Sequence, residues 1–146
     1  MLEAIFARQK IIPVITLDRV EDAVPLACAL SSGGLDVLEV TFRTEAAAAA
    51  IQVIRDQVPA VTVGAGTVTT PAILQAAETA GATFFVSPGA TDALLSAANP
   101  RTFLPGVATL SEMMRAFDAG FQIQKFFPAE ALGGTNFLRS VSAPLP

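Results

Sequence analysis

The sequence of 146 residues contains no histidine, tyrosine or tryptophan, and it contains one cysteine and two lysines. Without histidine the chain cannot form a Ser-His-Asp triad, a histidine-activated thiolate or a metal site that includes histidine. The single cysteine, Cys28, excludes an intrachain disulfide and a zinc site built from several cysteines. Acid–base chemistry at neutral pH therefore falls to carboxylates, lysine, bound water or the substrate itself.

Charge and hydrophobicity narrow the classes of partner. The chain has 9 basic and 13 acidic side chains and a net charge of −4, which disfavours binding to nucleic acid or to acidic membranes. Proline, glycine or charged residues interrupt every apolar run before the roughly 18 to 20 residues that a membrane span needs. Residues 1–10 lack the apolar core of a signal peptide. We expect one cytoplasmic domain over residues 1–146 that binds neither nucleic acid nor a membrane.

Segments rich in β-branched and aromatic residues alternate with segments of helical spacing. The predicted strands are 11–16, 37–41, 61–64, 83–87, 102–105 and 123–127. The predicted helices are 20–31, 45–57, 72–80, 92–98 and 110–119, with a sixth helix before Pro144. The candidate capping residues that precede the first five helices are Asp18, Thr44, Thr70, Thr91 and Thr109. This alternation predicts a parallel sheet covered by helices.

The number of strand–helix units bears on the type of sheet. A closed (β/α)8 TIM barrel has eight units and usually about 250 residues, whereas six units account for this sequence. We favour an α/β TIM barrel of which the chain contains about the first six units, over an open six-stranded sheet. Such a chain would expose an unpaired strand at each edge, which predicts aggregation or completion by another chain.

Lys125 is the first candidate catalytic residue. Strand alternation predicts that Phe121, Ile123, Lys125 and Phe127 share one side, so that the amine lies among large apolar groups. Burial without a partner favours the neutral amine that a nucleophile requires. The alternatives are a lysine that reaches solvent from the strand end or one that pairs with a carboxylate. We favour the nucleophile, because the only other lysine, Lys10, occupies a position that looks exposed.

Two further candidates lie in and just after the second predicted strand. Glu39 interrupts an apolar strand and Arg43 follows that strand. The carboxyl ends of parallel strands form the active site in α/β barrels, which suits a proton-transfer carboxylate and a guanidinium that binds a carboxylate. The alternative is a simple ion pair between Glu39 and Arg43. The segment Gly64-Ala65-Gly66-Thr67 favours a tight turn, and the alternative is close approach of its backbone amides to an anion, with the Thr67 hydroxyl beside them.

The segments Ser87-Pro88-Gly89 and Pro105-Gly106 end two further predicted strands. We expect both to shape the rim of the active-site cavity, with Pro88 as a candidate substrate contact.

Five segments together, in this order and spacing, closely resemble 2-keto-3-deoxy-6-phosphogluconate (KDPG) aldolase, a family also called 4-hydroxy-2-oxoglutarate (KHG) aldolase. The segments are residues 38–45, 64–68, 87–89, 105–106 and 125–130, reading LEVTFRTE, GAGTV, SPG, PG and KFFPAE.

The resemblance implies roles for particular residues. Lys125 would form a Schiff base with the C2 keto group of the substrate. Glu39 would be the general acid and base, Arg43 and Thr67 would hold the pyruvate carboxylate, and Phe127 would pack on the pyruvyl group. The substrate phosphate would be bound after the seventh and eighth strands, which would lie beyond the residues given.

The resemblance also implies a homotrimeric barrel that uses neither a metal nor another cofactor. Its substrate would be KDPG, a keto-acid phosphate that is cleaved to pyruvate and glyceraldehyde 3-phosphate, with 4-hydroxy-2-oxoglutarate as a second candidate substrate. Two alternatives stay open: an inactive fragment or assembly module of such a barrel, and a sugar-phosphate isomerase or epimerase on the same fold.

Overall fold

The computed structural model describes residues 1–144. The helices are α1 (Leu2–Arg8), α2 (Ala23–Ser32), α3 (Ala47–Gln57), α4 (Pro71–Ala80), α5 (Asp92–Ala97), α6 (Leu110–Asp118) and α7 (Gly134–Val141). The strands are β1 (Val14–Ile15), β2 (Val37–Thr41), β3 (Thr62–Gly66), β4 (Phe85–Val86), β5 (Phe103–Leu104), β6 (Gly106–Val107) and β7 (Lys125–Phe126). None of the helices in this range is long and apolar enough to span a membrane.

The strands form two parallel sheets that follow chain order. Five strands pair in the order β1-β2-β3-β4-β5, and β6 pairs with β7. Only Pro105 separates β5 from β6, so the two sheets continue one wall of six strand positions. Among residues 1–144, β1 pairs only with β2 and β7 pairs only with β6, which leaves two open edges. The predicted alternation of parallel strands and helices is confirmed.

Two apolar clusters lie on opposite faces of this wall. On β2, Leu38 and Val40 belong to the larger cluster, which includes the inner faces of helices α2 to α6. Val37 belongs to a smaller cluster with Phe84 and Leu104. Because strand side chains alternate between faces, Glu39 shares the face of Val37 and points away from helices α2 to α6.

Helix α1 was not predicted, and a buried glutamine fastens its end to the sheet. Gln9 is 8% exposed. Its amide donates to the carbonyl of Val37 at 2.9 Å and also to that of Ile11, and its oxygen accepts from the backbone amides of Asp36 at 2.8 Å and Val37 at 3.1 Å. This one side chain therefore joins the end of α1 to the beginnings of β1 and β2.

Three of the five predicted caps are confirmed and two are wrong. The hydroxyls of Thr70, Thr91 and Thr109 accept from the backbone amides of Ile73, Leu94 and Glu112. Asp18 does not cap α2, because a 3-10 turn over Val20–Asp22 precedes that helix. Thr44 does not cap α3, because its hydroxyl donates instead to the carbonyl of Leu17.

Candidate active site

The structure brings the amine of Lys125, on β7, close to the carboxylate of Glu39, on β2. Lys125 Nζ lies 3.8 Å from Glu39 Oε1, and the two side chains are 28% and 7% exposed. The amine is thus paired with a carboxylate, which was one of the alternatives for Lys125. The partner is the residue proposed for proton transfer, so the pairing places a base beside the candidate nucleophile.

The pKa of Glu39 reflects burial first and charge second. Removal of the carboxyl from water raises its pKa above the ordinary value of 4.5, and the positive charges of Lys125 and Arg43 act in the opposite direction. A raised pKa suits a carboxyl group that must gain and lose a proton near neutral pH. Among residues 1–144 Arg43 forms no ion pair, so the simple Glu39–Arg43 pair does not occur.

The glycines of β3 make room for neighbouring side chains. The predicted strand ends at Gly64, but β3 continues to Gly66. A Cβ atom at Gly64 would overlap the ring of Phe84, and one at Gly66 would overlap the carboxylate of Glu39. These glycines form neither the tight turn nor the anion-binding loop that the sequence left open, because both lie within a strand, and Gly66 leaves the volume that Glu39 occupies.

Arg43 and Thr67 form the second pair of the site. The Arg43 Nε group donates to Thr67 Oγ1 at 3.2 Å, and Arg43 is exposed. Thr67 directly follows β3 and has φ of 59°, the one positive φ of a residue other than glycine within residues 1–144. The guanidinium has no carboxylate partner of its own in this range, so it is available to bind the carboxylate of a small keto acid.

Phe127 lies beside the amine, whereas Phe121 does not. Lys125 Nζ is 5.2 Å from the centre of the Phe127 ring, which is 38% exposed. Phe121 is fully buried and packs edge-on against Phe103 in the helix-side core, with ring centres 6.0 Å apart. The predicted common side for Phe121 and Lys125 is therefore wrong, because β7 begins only at Lys125 and residues 121–124 are not a strand.

Pro88 lies at the connection between the two sheets. A Cβ atom at Gly106 would overlap the backbone of Pro88 and Gly89, so these segments are in close contact. Gly106 is the register partner of Lys125. The structure thus places Pro88 one strand away from the candidate nucleophile, and its contact with substrate stays a prediction.

The sequence did not single out Thr41, which lies on β2 two residues after Glu39. Thr41 is fully buried and its hydroxyl donates to the carbonyl of Ile15 at 2.9 Å. Thr16 Oγ1 lies 2.9 Å from Thr41 Oγ1, and since the Thr41 proton is committed to Ile15, Thr16 is the donor. The period of two from Glu39 would have found Thr41. In the described part of the chain, no three His, Cys, Asp or Glu side chains lie close enough to hold a metal ion.

Comparison with known sequences identifies one family. A family model described as KDPG and KHG aldolase matches residues 2–146. A 2-dehydro-3-deoxy-phosphogluconate aldolase from Dickeya dadantii is 47% identical over 144 residues, which cover 97% of this chain and 68% of that protein. A KHG/KDPG aldolase from Escherichia coli K12 has the same identity and coverage.

Comparison with solved structures gives the same result. A KDPG aldolase from Legionella pneumophila, crystallised with pyruvate captured as a covalent carbinolamine, matches with a TM-score of 0.93 and 44% identity over 98% of this chain and 70% of that one. A KDPG aldolase from Zymomonas mobilis with 3-phosphoglycerate matches with a TM-score of 0.93 and 41% identity, covering 98% of this chain and 69% of that one. The TIM-barrel fold is confirmed, and the chain spans about two thirds of these relatives.

Proposed function

This chain belongs to the KDPG and KHG aldolase family, and we propose from that premise that it is a lyase that cleaves KDPG to pyruvate and glyceraldehyde 3-phosphate through a Schiff base on Lys125. The observation that carries the proposal is the 3.8 Å separation between Lys125 Nζ and Glu39 Oε1. This separation puts a candidate nucleophile beside a buried carboxyl of raised pKa.

Formation of the Schiff base begins with transfer of a proton from Lys125 to Glu39. The neutral amine attacks C2 of the keto acid, a C–N bond forms, and the carbonyl π electrons move to oxygen. The nitrogen then loses a proton and the oxygen gains one, with Glu39 as the carrier, to give a carbinolamine. Glu39 protonates the hydroxyl, which leaves as water while the nitrogen lone pair forms the C=N bond of an iminium ion.

Cleavage uses the iminium ion as an electron sink. Glu39, again a carboxylate, removes the proton of the C4 hydroxyl as the C4 carbonyl forms and the C3–C4 bond breaks. The electron pair of that bond moves toward the iminium nitrogen, which gives an enamine and releases glyceraldehyde 3-phosphate. Glu39 returns the proton to C3, and hydrolysis of the imine by water then releases pyruvate and the free amine of Lys125.

The other site residues bind the keto acid. Arg43 and Thr67 are held together by their hydrogen bond of 3.2 Å and would receive the carboxylate that flanks C2. A guanidinium offers a fork of N–H donors that matches the two oxygens of a carboxylate. Phe127 presents its ring beside the amine and would pack on the pyruvyl group, with Pro88 at the rim.

Three further expectations belong to this proposal. The relatives named KHG/KDPG aldolase support 4-hydroxy-2-oxoglutarate as a second candidate substrate. We also propose that the protein is cytoplasmic. We further propose that it assembles as a homotrimer, and sedimentation analysis will test this oligomeric state. Nothing in the names of the relatives favours an isomerase, an epimerase or an inactive module.

Chemical trapping tests the role of Lys125. When the protein is incubated with pyruvate and sodium borohydride, hydride adds to the C=N bond and leaves a stable secondary amine, which peptide mass spectrometry locates. We expect the adduct on Lys125 and none on Lys10. The matched pair is Lys125→Arg, which keeps the charge but loses the nucleophile, and Lys10→Arg, which alters the other lysine.

The expected result is loss of the adduct in Lys125→Arg and full retention in Lys10→Arg. An adduct of equal yield on both lysines, or none on the folded protein, would contradict the proposal. Circular dichroism on each sample establishes that the protein is folded during trapping.

A further inference from the structure

The two halves of the proposed site lie on different sheets. Glu39 belongs to β2, and Arg43 and Thr67 follow β2 and β3 of the five-stranded sheet. Lys125 belongs to β7 of the two-stranded sheet. Their alignment therefore depends on how the sheets are joined between β4 and β6.

The hydrogen-bond ladder changes at this junction. The Ser87 amide donates to the carbonyl of Leu104 at 3.1 Å, as a regular parallel ladder requires. In the regular pattern the next bond would run from the Gly106 amide to the Ser87 carbonyl. Instead the Gly106 amide donates to the Ser87 side-chain hydroxyl at 3.1 Å, in a buried environment.

A short path leads from this hydroxyl to the amine. Gly106 is the register partner of Lys125, and the amide of Lys125 donates to the carbonyl of Pro105, the residue before Gly106, at 2.9 Å. Gly106 is also in close contact with the backbone of Pro88, the residue after Ser87. The Ser87 hydroxyl thus fixes the strand segment against which the backbone of Lys125 is aligned.

We propose that Ser87 is a positioning residue for Lys125, whose hydroxyl holds β6 and β7 in the register that sets Lys125 Nζ beside Glu39. The inference rests on the proposed function, since it concerns the same amine. Ser87 is fully buried, so it acts through Gly106 and not through contact with substrate.

The test compares Ser87→Ala with Thr91→Ala. Thr91 lies four residues after Ser87, in the connection from β4 to α5. Its hydroxyl also accepts a hydrogen bond from a backbone amide, that of Leu94, at 3.2 Å. Thr91→Ala therefore removes a bond of the same kind without touching β6. The measurement is the rate at which borohydride traps pyruvate on Lys125 across a pH series, together with the melting temperature.

We expect Ser87→Ala to slow trapping by about tenfold, because small misplacements of reacting groups cost large factors in rate. The acidic limb of the plot of trapping rate against pH, which reflects protonation of Glu39, also moves to higher pH in this variant. The charge of Lys125 lowers the pKa of Glu39, so displacement of the amine raises that pKa, while the smaller effect of Arg43 stays in place. Thr91→Ala keeps the wild-type rate and limb despite a lower melting temperature.

A wild-type rate and limb in folded Ser87→Ala overturns the inference, and so does a loss of rate equal to that of Thr91→Ala with no movement of the limb. If Ser87→Ala does not fold, Ser87→Cys is used in its place, because a thiol is a weaker acceptor of similar size. An intermediate rate with a shifted limb supports the inference, and a wild-type profile overturns it. Absence of any adduct in the wild type would instead contradict the proposed function.

Discussion

Thr67 has a backbone conformation that its side chain disfavours. Its φ of 59° lies in the left-handed region, where a β-branched residue is a rare outlier. Such conformations cost about 1–3 kcal/mol and persist where the surrounding structure imposes them. Here the following amide, of Val68, donates to the carbonyl of Val86 at 3.1 Å, and the Thr67 hydroxyl accepts from Arg43. The strain is therefore located at the proposed carboxylate site.

Replacement of Thr67 by glycine separates strain from binding. Glycine adopts positive φ readily, although its greater freedom in the unfolded chain offsets about 0.5–1 kcal/mol of the relief. We expect Thr67→Gly to melt no lower than the wild type and to require several times more pyruvate for half-maximal trapping on Lys125. A lower melting temperature with unchanged pyruvate dependence would show that the hydroxyl serves the fold and not the ligand.

Glu39 also links stability to pH. Because the folded pKa lies above the ordinary value of 4.5, the folded state binds more protons than the unfolded state above that pH. This contribution is most favourable below pH 4.5 and is lost as the pH rises through the folded pKa. We expect Glu39→Gln to become more stable relative to the wild type as the pH increases from 4.5, measured by urea unfolding at each pH. A constant difference across the series would contradict the raised pKa.

The sequence placed Glu39 and Arg43 at the candidate site through the rule that parallel strands carry their functional groups at the carboxyl end. Lys125 needed in addition its position among apolar strand residues and the scarcity of lysine, and Thr67 was assigned to the carboxylate by the resemblance. The space left by Gly66 could not be predicted, because it depends on which side chain of the neighbouring strand lies opposite.

Helix starts were predictable where the capping contact is local in sequence and unpredictable where it is distant. Thr70, Thr91 and Thr109 cap their helices through bonds to residues three positions ahead, so sequence was sufficient. Thr44 looked equivalent, but its hydroxyl bonds to Leu17, which is distant in sequence. Helix α1 was missed because it is held in place by the hydrogen bond of Gln9 to Val37 and by packing in the smaller apolar cluster. Both contacts join residues that are distant in sequence.

The start of α6 provides a test at this scale. The Thr109 hydroxyl accepts from the Glu112 amide at 3.3 Å, and the Glu112 carboxylate accepts from the amides of Thr109 and Ala108. We expect Thr109→Ala to lower the free energy of unfolding by about 1 kcal/mol, measured by urea denaturation. The control is Thr79→Ala in α4, whose exposed hydroxyl bonds only within its own helix. An equal loss in both variants would show that the cap contributes nothing specific.

At the scale of the whole molecule, the described residues leave one edge of β1 and one edge of β7 unpaired. Within residues 1–144, β1 has one neighbour; Val14 in this strand is 54% exposed, and Ile11, three residues before it, is 70% exposed. The number of strand–helix units was predictable from the alternation of segments rich in β-branched residues with segments of helical spacing. The assembly was not, because local patterns do not distinguish an apolar surface that stays exposed from one that another chain covers.

For a protein of residues 1–146 alone, we expect association through the β1 edge that increases with concentration, measured by sedimentation. Ile11→Lys should reduce this association, because a charged residue at a strand edge opposes edge-to-edge pairing. The control, Met114→Lys, changes a side chain on α6 that is 50% exposed and distant from that edge in the sheet order. Association that responds to Met114→Lys and not to Ile11→Lys would assign the contact to the helices.

The contact between Gly66 and the Glu39 carboxylate has a consequence for how the protein can evolve. Position 66 contributes no functional group, yet a larger residue there displaces the acid from its place. In a saturation library selected for aldol cleavage, position 66 should tolerate as few substitutions as position 39. An alignment of functional variants would then mark Gly66 as invariant, although its contribution to the chemistry is the volume it leaves empty.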